Sequence, residues 1–337
     1  MSVEQLAIAA LGLRGEGVAA HAGRSVYVPY ALPGETVRAD RDGETAHLIE
    51  ILTPRPDRIA PICQYFGTCG GCAVQALPFE PYAEWKRQLV VDVLARARLS
   101  PPVDPLVDAH GAGRRRATIH VRVQPTPNLV AERKLRVGFM RARAHEVVDI
   151  LGCPILSPDM AGAVEAARMI GKLLLHTGKP LDFVVTATAA GLDVDLRGIG
   201  PLAEPDLRAL GEAAASLDLA RLANHGEIVI ERRAPVVKFG PASVVIPPGA
   251  FLQATAEGEA VLAKLVQDGV GTARKVADLF CGLGTFALRL AVKATVSAID
   301  IEGPSLAALS RAARQTPVLR PVTAQARDLF RRPLTAA

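Results

Sequence analysis

Asp278-Leu-Phe-Cys-Gly-Leu-Gly-Thr-Phe286 is the stretch on which the reading of the fold turns. Before it, Lys275-Val-Ala-Asp-Leu-Phe280 has the apolar run of a strand, and a helical stretch follows the two glycines. Thr295-Val-Ser-Ala-Ile-Asp300 is then a second strand. Strand, glycine loop, helix and strand at this spacing make a βαβ unit of a parallel sheet. Gly282 and Gly284 let backbone amides approach a ligand where the helix begins. Gly282-x-Gly284-x-x-Ala287 also fits the loose dinucleotide fingerprint, and a tight turn with no ligand is the plain alternative. Asp300 ends the second strand, where a carboxylate can bind ribose hydroxyls. Asp278, just before the turn, can orient the loop or face a ligand's ammonium, which favours S-adenosylmethionine over a nicotinamide. Cys281 lies inside the loop without a His or basic neighbour to lower its pKa, so it reads as packing and not as a nucleophile.

Working outward, a helix over Glu257 to Val266 leads into this unit. The middle of the chain alternates like an antiparallel sheet, with strand candidates at 118–123, 135–139, 145–150, 182–187 and 192–196. Ala-Ala-Gly191 looks like the hairpin turn between the last two. Helical patterns at 158–176 and 204–216 make this an α+β region. Towards the N-terminus, Tyr82, Trp85, Leu89 and Val93 recur at helical spacing between Pro78 and Arg98, and that face, Trp85 included, is expected in the core. Residues 1–55 hold short apolar pieces, such as Val26-Tyr-Val28 and Leu48 to Leu52, punctuated by glycines, which suggests a small β-barrel. Thr53-Pro-Arg-Pro56 reads as a linker. The expected fold is therefore multidomain: a β-barrel over 1–55, a central α+β domain over 56–250, and a partial Rossmann-like domain over 251–337.

Composition narrows the function classes. The 337 residues are 50% hydrophobic and 22% charged, ordinary globular usage that argues against disorder. No run of about 18 uncharged apolar residues exists, so no membrane span is expected. Met1-Ser-Val-Glu-Gln5 has no basic segment leading into an apolar one, so no signal peptide is read and a cytoplasmic protein is the default. The net charge of +5 is uneven. Between His110 and Ala144 stand Arg114, Arg115, Arg116, Arg122, Arg133, Lys134, Arg136, Arg141 and Arg143 against Glu132 alone, +8 in 35 residues, whereas the first 60 residues carry −2. Such a local field suits a polyanion such as RNA, although a solvated strand face would carry it equally well.

The five cysteines form the other constellation. Cys63-x5-Cys69-x2-Cys72 is followed by Cys153-Pro154. A C-x2-C pair lets two sulfurs of one turn reach one metal. A triplet plus a distant Cys before Pro resembles iron–sulfur ligation more than structural zinc, which more often uses two such pairs. Unrelated cysteines are the third reading.

These motifs together, Cys63-x5-Cys69-x2-Cys72 with Cys153, Phe251-Leu-Gln253, and Asp278-Leu-Phe-Cys-Gly-Leu-Gly284 in that order, resemble the RNA uracil-C5 methyltransferase family along the whole chain. The resemblance implies S-adenosyl-L-methionine as cofactor, with Gln253, Phe280, Asp300 and, further on, Asp328 as binding residues. It implies a [4Fe-4S] cluster on Cys63, Cys69, Cys72 and Cys153, a TRAM-like N-terminal barrel, rRNA or tRNA as partner, and a monomer. Thr255 stands where many members have Asn. The family's reaction needs a cysteine that adds to C6 of uracil, so that C5 can take the methyl of the sulfonium, and a base that removes the C5 proton. The Asp-Pro-Pro-Arg-like and Ser-Cys-Asn-Pro-like segments that frame the nucleophile are absent. Only two clear parallel strands and a third at Pro321–Ala324 are read, where a doubly wound sheet has five or more. The expectation is a C-terminally truncated member that holds the cluster without completing methyl transfer, its catalytic residues lying beyond Ala337. Two other classes stay open. A non-catalytic iron–sulfur RNA-binding module would bind RNA without the methyl donor, and a nicotinamide oxidoreductase would bind NADH.

Overall fold

The computed structural model describes residues 2–126, 129–142 and 144–334, and the side chains of these outside 124–133. By contacts the chain divides into two compact units, Met1–Asp108 with Phe139–Val148, and Ala109–Gly138 with Asp149–Ala337.

In the first unit, β1 (Ser2–Leu11), β2 (Gly17–His21), β3 (Arg24–Val28), β4 (Thr36–Asp42) and β5 (Thr45–Thr53) close into a barrel of order β1-β2-β3-β5-β4. Alternation fills it: Leu6, Ile8, Val26, Val28, Val37 and Ala39 point inward, and the residues between them face out. Antiparallel pairing of β1 with β4 removes the free edges. The linker is tied down by a buried acid. Glu35, 1% exposed, accepts Arg58 Nη1 on both oxygens at 2.8 and 2.9 Å and the Leu32 N–H at 2.9 Å.

Helix α1 (Phe79–Arg96) forms where its apolar spacing places it, but none of its residues is buried. Near its start Tyr82 packs on Leu32, Ala76 and Leu77, further on Arg87 Nε donates to the Val103 carbonyl at 3.0 Å, and Val93 is 56% exposed. Trp85 is half-buried with Lys86 over its ring, so the core face expected at 82, 85, 89 and 93 is not made.

The second unit is built on β6 (Arg116–Thr126), β7 (Leu129–Met140), β9 (Leu181–Thr188), β10 (Gly191–Arg197), β11 (Arg221–Asn224) and β12 (Glu227–Glu231), in the order β12-β11-β10-β9-β6-β7. β8 (Val147–Asp149) forms within the expected 145–150. The β9–β10 hairpin turns at Ala189-Ala190 as expected, and α2 (Ala163–Leu173) and α3 (Glu204–Ser216) fall inside the predicted helical stretches. The sheet is not purely antiparallel, because β10 pairs in parallel with β11. Sequence reading misses β11 and β12 for a physical reason. Arg221 is 2% exposed and holds Asp193 through two bonds of 2.8 and 2.9 Å, so a charged residue occupies a core position of a four-residue strand.

The hairpin β13 (Val236–Phe239) and β14 (Ala242–Val245) leads through α4 (Ala256–Val270) to β15 (Lys275–Leu279), α5 (Ala287–Leu290), β16 (Thr295–Asp300), α6 (Gly303–Arg314) and β17 (Val322–Ala326). β15, β16 and β17 form a three-stranded parallel sheet among the described residues, as the βαβ reading requires. Phe239, Val244, Leu252, Leu288, Val296 and Leu309 share one core, so packing runs across the 250/251 division drawn from the sequence.

Candidate cofactor cleft

Strand β15 delivers Asp278 to the point where the chain turns. Its Oδ2 accepts the Ala287 N–H at 2.9 Å, which ties the end of the strand to the first residue of α5 across the loop. Phe280 follows with φ +60°, a left-handed backbone that non-glycine residues rarely adopt, and the residue is 56% exposed. From the next strand end, Asp300 accepts the Gly282 N–H at 2.8 Å on one oxygen and the Glu302 N–H at 3.0 Å on the other. The two aspartates thus hold the loop from both sides, and Asp300 is itself 8% exposed.

Burial pushes the Asp278 carboxyl up to about 6; the Ala287 N–H works against that rise and Asp300 adds to it. Burial, then Asp278 and Asp300, push the Cys281 thiol up to about 12. A thiol so protonated near neutral pH is a poor nucleophile, in agreement with the packing role read from the sequence.

A cleft of ≈ 630 Å³ opens beside this loop, and Gln253, Phe280 and Asp300 all line it, together with Phe251 and Arg197. Three of the four residues expected to bind the cofactor are brought together. Asp328 is not part of that lining. Its Oδ1 accepts the N–H groups of Phe330 and Arg331 at 3.0 Å each, closing the turn after β17, and this turn places the Phe330 ring 5.2 Å from that of Phe280.

A second network stands behind the cleft and had no signal in the sequence. Glu259 of α4, 2% exposed, receives Arg115 at 2.5 Å on one oxygen and Arg289 of α5 at 2.7 Å on the other. Arg115 Nε also reaches the Gln253 carbonyl at 3.3 Å, so the segment bearing Gln253 is tied through Arg115, Glu259 and Arg289 to the helix that follows the loop. Thr255 caps α4: its Oγ1 accepts the Gly258 N–H at 2.9 Å and donates to the Ala109 carbonyl at 2.6 Å. Thr and Asn both cap helices, so the departure at 255 keeps the local chemistry.

Three members of the basic run are taken up by ion pairs. Arg115 belongs to Glu259, Arg122 to Asp182 at 2.8 Å, and Arg141 to Glu146 at 3.3 Å. Arg143 and the side chains of Glu132 and Arg133 lie outside the described residues.

The cysteines are not assembled in the same way. Cys63, Cys69 and Cys72 sit half-buried on one loop of the first unit, and Cys153 sits half-buried on a loop of the second. No disulfide joins any of the five. The Gly71 N–H points at the Cys69 sulfur at 3.4 Å, and the Tyr30 hydroxyl donates to the Cys69 carbonyl at 3.3 Å. Burial, with Cys69 and Cys72 close by, pushes that hydroxyl's pKa upward. Four thiols, three on one loop, are the right donor chemistry for an iron–sulfur cluster. Yet among the described residues no group of three or more His, Cys, Asp or Glu is arranged to hold a metal ion, so the geometry does not carry the ligand set that the spacing suggests.

No family model matches the chain. Similarity along nearly the whole of this chain is nevertheless strong. It is 42% identical over 330 residues to an uncharacterized RNA methyltransferase of Brucella suis biovar 1, covering 98% of this chain and 78% of the relative. A counterpart from Agrobacterium fabrum is 40% identical over 341 residues, covering 99% and 80%. The 23S rRNA (uracil(1939)-C(5))-methyltransferase RlmD of Alkalilimnicola ehrlichii is 31% identical over 319 residues, covering 89% and 70%. The chain belongs to the RNA methyltransferase family. Its fold is that of the Pyrococcus abyssi tRNA (uracil-54, C5)-methyltransferase solved with S-adenosyl-L-homocysteine: TM-score 0.69 at 18% identity, covering 96% of this chain and 79% of that one.

No helix among the described residues is long and apolar enough to cross a membrane.

Proposed function

We propose that the chain binds S-adenosylmethionine in the Gln253–Phe280–Asp300 cleft and serves methylation of uracil C5 in ribosomal or transfer RNA. The observation that carries this reading is the convergence of those three side chains beside a loop that two aspartates hold open. Asp300 offers ribose hydroxyls the lone pairs its two backbone donors leave. Phe280 offers an exposed ring face to an adenine, with Phe330 beside it. Gln253, anchored through Arg115, offers an amide to the amino-acid end. When bound, the cofactor supplies a methyl on a sulfonium. Cys281 takes no part in covalent catalysis in this reading, because its thiol is held protonated. The names of the relatives support RNA and uracil as substrate.

Three further elements belong to the proposal. Asp328 contributes at the neighbouring strand end through the turn it closes. The segments 1–55, 56–250 and 251–337 act as barrel, RNA-facing and cofactor-binding parts. Cys63, Cys69, Cys72 and Cys153 take up an iron–sulfur cluster, a reading that rests on cysteine spacing alone.

Calorimetric titration with S-adenosylhomocysteine tests the core of it. Saturable binding is expected, weakened at least about tenfold in Asp300→Ala, since hydrogen bonds to a charged group contribute roughly 1.5–3 kcal/mol. Binding of NADH in place of S-adenosylhomocysteine would overturn it.

A further inference from the structure

The sequence places its positive charge in one run, but the two arginines that meet at Gly249 of the cleft wall come from different strands, and of the two only Arg197 lines the cleft itself. Arg197 closes β10 and lines the cleft; Arg116 opens β6. Both guanidiniums flank Gly249. Arg116 Nη2 stands 3.5 Å from the Gly249 carbonyl, and a Cβ at 249, where φ is +67°, would lie 2.5 Å from Arg197 Nη2 and 2.7 Å from Asp195 Oδ2. The missing side chain is what lets the Arg197–Asp195 pair lie against this loop.

The charges here do not cancel. Asp195, 1% exposed, accepts Arg197 Nε at 2.9 Å on one oxygen and the Gly226 N–H at 2.9 Å on the other, so it occupies one edge of one guanidinium. Among the described residues no carboxylate pairs with Arg116, and its Nε is buried without a hydrogen-bond partner. Burial, then Arg197 and Arg114, hold Arg116 below the usual guanidinium range, as expected of a half-buried cation with other cations beside it.

We propose that Arg116 and Arg197 form a phosphodiester site at the rim of the cleft, which grips the backbone of the substrate RNA beside the nucleotide whose base enters. Guanidinium forks match phosphate oxygens two at a time. A nucleotide that delivers its base into a pocket brings its flanking phosphates to the pocket's mouth. Arg197, its side chain 49% exposed, is placed to meet them there. The proposal rests on the methyltransferase reading above and adds to it the residues that hold the strand. A carboxylate would suit the same forks, so the cofactor's own carboxylate is the rival ligand.

The test titrates the full chain with fluorescein-labelled oligouridine at several salt concentrations, and separately with S-adenosylhomocysteine. Arg116→Gln and Arg197→Gln are each expected to weaken RNA binding about tenfold at low salt. Each is also expected to reduce the slope of log K against log salt by about 0.7, the value of one single-strand phosphate contact. S-adenosylhomocysteine affinity of Arg116→Gln, whose residue does not line the cleft, stays within about twofold of the wild type. Arg197→Gln leaves Asp195 without its partner, so Arg197→Lys serves as the folded control, with RNA binding between wild type and Gln. An unchanged salt slope in both Gln variants overturns the site. So does lost S-adenosylhomocysteine affinity with RNA binding intact, which reassigns the pair to the cofactor. A wild-type chain that binds S-adenosylhomocysteine but no RNA overturns the phosphate site alone. One that binds RNA in the expected salt-dependent way but no S-adenosylhomocysteine overturns the methyl-donor reading alone.

Discussion

The loop over 278–286 and the loop over 63–72 look alike in sequence: short, glycine-bearing, and marked by residues that suggest a ligand. In the structure they differ. The first is fixed by Asp278 and Asp300 through backbone N–H groups and packs against Leu288 and Leu309, both fully buried. The second has its cysteines only half-buried and brings no three of them into a metal-holding group. A loop whose two anchors, Asp278 and Asp300, lie within one βαβ unit is shaped by the backbone that the unit must adopt. A site whose fourth member comes from residue 153 has no such local constraint.

Glycine substitution gives the largest expected effect and the sharpest contrast. Gly284 has φ +84°, and a Cβ there would lie 2.6 Å from Leu309 Cδ1 and 2.8 Å from its Cγ. Gly67 has φ +88°, but a Cβ would meet nothing within 4 Å. Gly284→Val adds a core clash to backbone strain and should destabilise by about 4 kcal/mol, whereas Gly67→Ala meets strain alone, about 1 kcal/mol. Urea denaturation of both variants checks this. Equal losses would show that the two loops are held equally tightly.

A smaller effect separates the loops by pH. The Asp278 carboxyl lies at about 6 in the folded chain against 3.8 for an ordinary aspartate. Between those values the folded state binds more protons than the unfolded one, so stability falls as pH rises through the window and is level above it. Asp278→Asn keeps an acceptor for the Ala287 N–H and removes the titration. Relative to wild type it should gain up to about 3 kcal/mol between pH 3.5 and pH 7, the equivalent of the shift. Parallel stability profiles for the two proteins would mean that the carboxyl is not forced to ionise in a buried place.

The same distinction explains what the sequence disclosed. The barrel, the β9–β10 hairpin, α3 and the β15–loop–β16 unit were legible because their periodicity and turn residues are local. β11 escaped because Arg221 occupies a buried strand position and pairs with Asp193, 28 residues away. The basic run was legible as charge but not as a surface, since Arg115 finds Glu259 144 residues later. Three residues that line the cleft are singled out by sequence motifs, yet Arg197 is not, because nothing near it in sequence distinguishes it from any other strand-end arginine. Helix α1 shows the converse error: its spacing was right, but spacing does not supply the surface that must cover Val93.

The smallest expected effect is also the most direct reading of the two cysteine environments. With its thiol pushed up to about 12 and 7% exposed, Cys281 should resist iodoacetamide at pH 8 in the native protein, while Cys63, Cys69 and Cys72 on their half-buried loop should label readily. Cys281→Ala should change stability by only about 1 kcal/mol and S-adenosylhomocysteine affinity by less than about twofold. Anaerobic incubation with ferrous iron and sulfide then adds the discriminating step. If the loop takes up a cluster, labelling of Cys63, Cys69, Cys72 and Cys153 should drop together and a broad visible absorbance should appear, with Cys281 unchanged. Protection of the three loop cysteines without Cys153 would point to a metal held within the first unit. Unaltered labelling of all four would remove the cluster from the account and leave the cleft as the chain's ligand site.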